Sequence, residues 1–321
     1  EVRVIMFICI YYFYYFEHVH FISFFLIIKH ILSVTNVWTL SHVSMAACFM
    51  ISVANMIQLI RRMTMDRLGL LCRNIYENNK MTQRELAAAM DLSLGTCNHL
   101  VKDGLAQELF TFDPAEGTYS LLKGGVDLLR KYRMDSAVIL AAGFGSRFVP
   151  LTFETPKGLL EVYGERMIER QIKQLHGAGV TDITIVVGYL KEKFEYLIDK
   201  FGVKLLYNPE YHNKNTLTTL YRARECFIGR NTYLLSSDNW MRNNMYHTYE
   251  CGAWYSSVYK EGDTSEWSLS YNKKGRIQNV EIGGHDCYVM YGPVYMSSQW
   301  LAAFLPILKV YYMLPGTEQF Y

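Results

Sequence analysis

Two cations, Arg147 and Lys157, accompany a run of small residues that leaves an apolar, β-type stretch. Val138-Ile139-Leu140-Ala141 opens into Ala142-Gly143-Phe144-Gly145-Ser146-Arg147, and Pro150, Pro156 and Lys157 follow. Residues with little or no side chain let a backbone close on a phosphate chain, with N–H groups facing the anion. Leu140, Ala141, Ala142, Gly143, Gly145 and Ser146 are therefore the expected nucleotide contacts. Arg147 and Lys157 are the expected catalytic cations, neutralising the phosphates. The run is not a P-loop, because no Gly-Lys-Ser/Thr follows the glycines. Phe148 also stands where a dinucleotide fingerprint needs its third glycine. A tight strand-to-helix turn would use glycine for backbone reasons alone, but it does not require the cations and prolines found here.

Leu234-Leu235-Ser236-Ser237-Asp238-Asn239 sets a carboxylate just past another apolar strand. Asp238 suits a Mg²⁺ facing a triphosphate. Asp238-Asn239 would also serve as plain turn residues; the glycine loop in the same sheet tips the reading to metal. Little covalent chemistry is then asked of the protein. The substrate's own phosphate oxygen attacks, Arg147 holds the leaving pyrophosphate and Lys157 sits at the α-phosphate. Gly188-Tyr189 ends a further strand near the same edge, where glycine admits a base or ribose, or simply turns the chain. Asn215 and Thr216 begin a helix with Asn215 as cap, a role compatible with a ligand contact. Further on, Glu261, Asp263 and Glu266 cluster beside Trp267. An indole face near carboxylates can hold a quaternary ammonium; a β-hairpin with solvated charges and a core tryptophan is the simpler account of these residues alone.

These groups need a scaffold, and the 321 residues suffice for two domains with a sizeable core. From residue 134 to 321 the chain alternates strand and helix. Strand 136–141 precedes helix Met167 to His176. Strand Ile183 to Val187, helix Lys191 to Phe201 and strand Val203 to Tyr207 come next, then helix Thr216 to Cys226 and strand Tyr233 to Leu235. Repeated βαβ units predict an α/β, Rossmann-like domain with a mixed, mainly parallel sheet, its ligand at the carboxyl ends of the strands. Residues 65–133 read as a small winged helix-turn-helix domain. Leu68, Leu70, Leu71 and Ile75 stripe a first helix. Thr82 and Glu85 have capping-box spacing, and Ser93 caps a helix Leu94 to Lys102. Leu109 to Phe112 and Tyr119 to Leu122 form a wing, and Lys123 to Arg133 a closing helix. Nine basic residues balance nine acidic ones across 66–133. DNA is a partner with little support on that count, because phosphate contacts dominate such affinity.

Residues 1–64 differ. The apolar runs Val4 to Ile28 and Val43 to Ile60 are each near membrane-spanning length, but Glu17, His18 and His20 interrupt the first. They read first as an extension outside the working fold, with Met63 or Met65 as a natural start, and second as a membrane anchor. Seven dispersed cysteines without a C-x-x-C pair read as reduced thiols in a cytoplasmic protein and argue against zinc. The net charge of +2 does not itself point to a polyanion.

From about Asp135 to Tyr321 the chain resembles bacterial CTP:phosphocholine cytidylyltransferases, within the sugar-phosphate nucleotidyltransferase superfamily. The resemblance rests on ILAAGFGSRFVPLTFETPKGLLEV, ITIVVGYLKEKFEYL, YNPEYHNKNTLTTLYRAR, SSDNWM and the Glu-Trp of SEWSLSY. The first stretch marks the superfamily; N-x-x-T-x-L-Y, Asn215 to Tyr221, and Glu-Trp narrow it to the phosphocholine branch. The resemblance implies CTP and phosphocholine as substrates, CDP-choline and pyrophosphate as products, and Mg²⁺. It places Gly143, Gly145, Arg147 and Lys157 at the triphosphate, Asp238 at the metal, and Glu266 and Trp267 at the choline head. Two departures stand out. Ser236 occupies a position that is often acidic in the family. The family also continues past the point where this chain stops, with core residues and another metal carboxylate, so a C-terminally truncated domain of reduced activity is expected. The competing functions are a sugar-1-phosphate nucleotidyltransferase and a DNA-binding regulator that uses a transferase-like domain as ligand sensor.

Overall fold

The computed structural model describes residues 66–212, 215–272 and 277–316; the expectations for residues 1–64 fall outside them. The described residues form two units, 66–255 with 292–316, and 256–291. The helical module and the sheet, expected as domains 65–133 and 134–321, share the first unit.

In the module, Asp66 caps helix α1 (Arg67–Asn78), its carboxylate accepting from the Gly69 N–H at 3.0 Å. Strand β1 (Met81–Thr82) leads into α2 (Gln83–Ala89) through the expected capping box: Glu85 N–H donates to Thr82 Oγ1 at 3.3 Å, and Thr82 N–H to Glu85 Oε2 at 2.8 Å. Ser93 caps α3 (Leu94–Ala106). The wing is β2 (Phe110–Asp113) against β3 (Thr118–Leu121), with β1 on the other side of β3. The closing helix is shorter than expected. α4 (Lys123–Leu129) gives way to one 3₁₀ turn, Arg130–Tyr132, because Arg133 turns extended and bridges to Tyr249. The module's core is not its own: Leu71, Ile75, Leu86, Val101, Phe110 and Leu129 enclose Cys251, with Tyr249 packed beside them. Burial pushes the Cys72 and Cys251 thiols in this core up to about 12.

The main sheet has the expected mixed, mainly parallel character. Strands β4 (Ser136–Ala141), β7 (Ile183–Val187), β8 (Lys204–Tyr207) and β9 (Thr232–Ser236) run parallel in the order β9-β4-β7-β8. Val294–Met296 adds antiparallel to β9. β4 and β7 are buried on both faces, as continuous apolar strands between helices must be. On one face Ile139, Ile185 and Val187 meet Ile168, Ile172 and Leu175 of α5 (Met167–Gly177) and Leu197 of α6 (Tyr196–Phe201). On the other, Val138 and Val186 meet Ala223, Phe227 and Leu301. A short hairpin, β5 (Glu161–Val162) with β6 (Glu165–Arg166), precedes α5. α7 (Thr216–Arg222) stops short of Cys226, where a 3₁₀ turn takes over. The last helix, α8 (Ser298–Met313), was not legible in the sequence; Ser297 caps it and Pro306 lies within it. No helix among the described residues is long and apolar enough to cross a membrane.

The second unit is an arm drawn from two long paired strands, β10 (Trp254–Tyr271) and β11 (Ile277–Met296).

Candidate active site at the ends of β4 and β9

The carboxyl ends of β4 and β9 border a cleft of about 340 Å³, within the usual size range of small-molecule sites. Leu140 and Ala141 bring β4 to its edge, and Ala142, Gly143, Gly145, Ser146 and Arg147 continue round it. Gly145 takes a left-handed conformation at φ 71° and starts a 3₁₀ turn, its carbonyl accepting from buried Thr152 Oγ1 at 3.0 Å. Asn215 and Thr216 line the opposite side with Tyr211 and Thr219. Asn215 does cap α7, its Oδ1 accepting from Thr216 N–H at 2.9 Å. Buried Asn208 donates through Nδ2 to Thr219 Oγ1 at 3.1 Å, which ties that wall to the end of β8.

Lys157 and Asp238 face each other across the cleft and form an ion pair. Lys157 Nζ also lies 4.5 Å from the centre of the Phe148 ring. With Arg147 exposed at the rim, the lining carries two cations and one carboxylate. That balance suits a polyphosphate. Among the described residues no three His, Cys, Asp or Glu side chains are grouped as a metal site. A lone carboxylate, Asp238, beside Ser236 and Ser237 fits a divalent cation whose other positions are phosphate oxygens and water.

Gly188 and Tyr189 stand behind the loop and do not form the cleft wall. Tyr189 N–H donates to the Ala142 carbonyl at 3.1 Å, and its ring lies edge-on to Phe144 at 4.6 Å. A Cβ at Gly188 would lie 2.6 Å from the Ala142 carbonyl, so only glycine lets the two chains approach this closely.

Glu266 and Trp267 lie on β10 in the arm, Glu266 exposed and Trp267 half-buried. Successive strand residues project to opposite faces, so Glu266 does not share the indole's face as the sequence cluster suggested. Asp263 is engaged elsewhere, 2.8 Å from His285 Nδ1.

A buried polar network underlies β9. Tyr233 Oη donates to Glu250 Oε1 at 2.5 Å, and Arg73 Nη1, from α1, donates to Glu250 Oε2 at 3.0 Å. Burial pushes the Glu250 carboxyl above the usual range, against the opposing pull of Tyr233 and Arg73. Burial, and then the Glu250 charge, push the Tyr233 phenol up as well.

Residues 136–251 match the Nucleotidyl transferase family, and residues 72–103 match a winged helix-turn-helix DNA-binding family. The choline-phosphate cytidylyltransferase of Streptococcus pneumoniae is 42% identical over 146 residues, covering 46% of this chain and 63% of that one. That match spans less than two thirds of the relative's length. The 2-aminoethylphosphonate cytidylyltransferase of Lancefieldella rimae is 34% identical over 188 residues, covering 58% of this chain and 76% of that one. The chain belongs to the cytidylyltransferase family. A solved CTP:phosphocholine cytidylyltransferase from S. pneumoniae has the family fold at a TM-score of 0.56 and 34% identity, over 59% of this chain and 82% of its own.

The superfamily could be read from the loop, Lys157 and Asp238, and the cytidylyltransferase branch from the stretch around Asn215 and from Glu266-Trp267. Tyr211, Thr219, Ser236, Ser237 and Gly158 also line the cleft. All five lie inside the family-like stretches; Ser236 stands out there only as a departure from an often acidic position, and nothing in the types or spacing of the other four singles them out.

Proposed function

We propose that the chain transfers the cytidylyl group of CTP to phosphocholine, giving CDP-choline and pyrophosphate. The observation that carries this reading is the cation–carboxylate pair Lys157–Asp238 facing the glycine loop in a single cleft. A phosphate oxygen of phosphocholine attacks the α-phosphorus of CTP, the bond from that phosphorus to the bridging oxygen breaks, and pyrophosphate leaves. The nucleophile is already ionised, so no base is needed. The backbone from Ala142 to Ser146 closes on the triphosphate. Lys157 stabilises the charge on the α-phosphate, and Arg147 holds the departing pyrophosphate. Asp238 would hold Mg²⁺, which when bound neutralises phosphate charge as the displacement proceeds.

A trimethylammonium acceptor is supported by the S. pneumoniae relatives, whose names carry choline phosphate or phosphocholine, and the Trp267 indole is of the type that attracts an alkylammonium unable to donate hydrogen bonds. The second reading replaces that head with a primary ammonium, as in 2-aminoethylphosphonate, the compound in the name of the L. rimae relative. Pyrophosphate release is measured with CTP against each acceptor, and with UTP or dTTP against hexose 1-phosphates. Release with CTP and phosphocholine is expected. Preference for 2-aminoethylphosphonate establishes the second reading, and turnover with hexose phosphates alone overturns both.

A further inference from the structure

A buried side chain of α5 bridges the turn that carries Asp238. Gln171 of α5 has no exposed surface. Its Nε2 donates to the Ser236 carbonyl at 3.0 Å and to the Asn239 carbonyl at 2.9 Å. These carbonyls flank Ser237-Asp238, so one amide group bridges the turn from end to end. The reversed amide would set its oxygen against two carbonyl oxygens, so the turn itself dictates that the NH₂ faces it. Gln171 Oε1 is left buried without a hydrogen-bond partner among the described residues. A methionine of similar volume would fill the same space without stranding a polar atom. What glutamine adds at this position is its pair of donors.

The turn is confined on its other side too. A Cβ at Gly158 would lie 2.6 Å from Ser237 Cβ, so the segment beginning with Lys157 packs directly on the turn. Arg170 and Gln174, also on α5, donate to the Met241 carbonyl at 2.7 and 3.0 Å. They hold the chain after the turn; Gln171 is the side chain of α5 that bridges the turn itself, where Ser237 N–H also donates to the Leu140 carbonyl at 3.0 Å.

We propose that Gln171 is a positioning residue for Asp238, fixing its carboxylate at the depth where it meets Lys157 and a nucleotide-bound divalent cation. The proposal rests on the reading of Asp238 as that cation's ligand. Calorimetric titration of CTP into the full chain, with Mg²⁺ and with EDTA, separates the cation-dependent part of binding from the rest. Gln171→Met is expected to cut the Mg²⁺-dependent gain in affinity about tenfold, the scale of outer-shell effects on metal sites, and to leave binding in EDTA unchanged. A merely structural role would weaken both alike; that result, or no loss in either, overturns the proposal. Asp238→Asn is the control. If it keeps the full Mg²⁺ gain, the metal reading itself fails; if it loses the gain and Gln171→Met does not, only the positioning role fails. Should Gln171→Met not fold, Gln171→Leu, which also removes the donors without burying a charge, is read the same way. Failure of both to fold assigns Gln171 to the core and overturns the proposal.

Discussion

Asp238→Asn keeps the volume of the side chain and removes its charge. It is expected to lower kcat at least about 100-fold, the scale seen when one preorganised electrostatic group is lost, with the thermal midpoint unchanged. Pyrophosphate release and circular dichroism check the two halves; near-normal turnover in Mg²⁺ refutes the assignment. Glu250 tests a different balance. Its raised carboxyl means that the folded chain binds this proton more tightly than the unfolded chain does. The resulting stability is full below the ordinary value of 4.5 and is lost as pH rises through the higher folded value. Glu250→Gln lacks this component, so the Tm of the natural chain minus that of the variant is expected to fall as pH rises from the acid side. A difference that is flat or increasing with pH counts against burial as the dominant influence on Glu250.

At the scale of elements, the close approach of β7's end to the glycine loop is sensitive to a small change. Gly188→Ala sets a methyl group 2.6 Å from the Ala142 carbonyl and 2.7 Å from the Tyr211 side chain. It is expected to cost about 1–3 kcal/mol of stability, as overpacking does, and to raise the KM for CTP more than that for the acceptor. Denaturant melts and initial rates measure the two effects. Elements with strong local signals were legible in sequence. β4 and β7 are short apolar runs with buried β-branched residues, and their bounds coincide with expectation. Thr82 and Glu85 announce α2 because both halves of a capping box are local. Where tertiary contacts decide, the sequence was silent or misleading. Arg133 leaves its helix to meet Tyr249, more than a hundred residues on. Gln171 looks like any helix residue, because the carbonyls that give it meaning belong to another strand's end.

For the whole molecule, the helical module and the sheet share a core through Tyr249 and Cys251, and Arg73 is an ionic partner of a buried Glu250. Deleting residues 66–133 therefore uncovers apolar surface and strands a buried acid. The expected product is an aggregating chain with weakened near-ultraviolet dichroism; a well-folded, active remainder refutes the shared-core account. The winged helix's balanced charge, with Asp113 and Glu116 at its wing, predicts no retention on duplex DNA at physiological salt. Sequence-selective binding under that condition would overturn the prediction. The pairing of Cys72 with Cys251 in one core has a practical corollary. One thiol comes from each half of the chain, both are almost wholly covered, and both sit near 12, far from the reactive thiolate range. While the halves stay docked, an alkylating reagent finds neither. If they part, both become visible together, so the protein carries its own chemical clock for the opening of that seam.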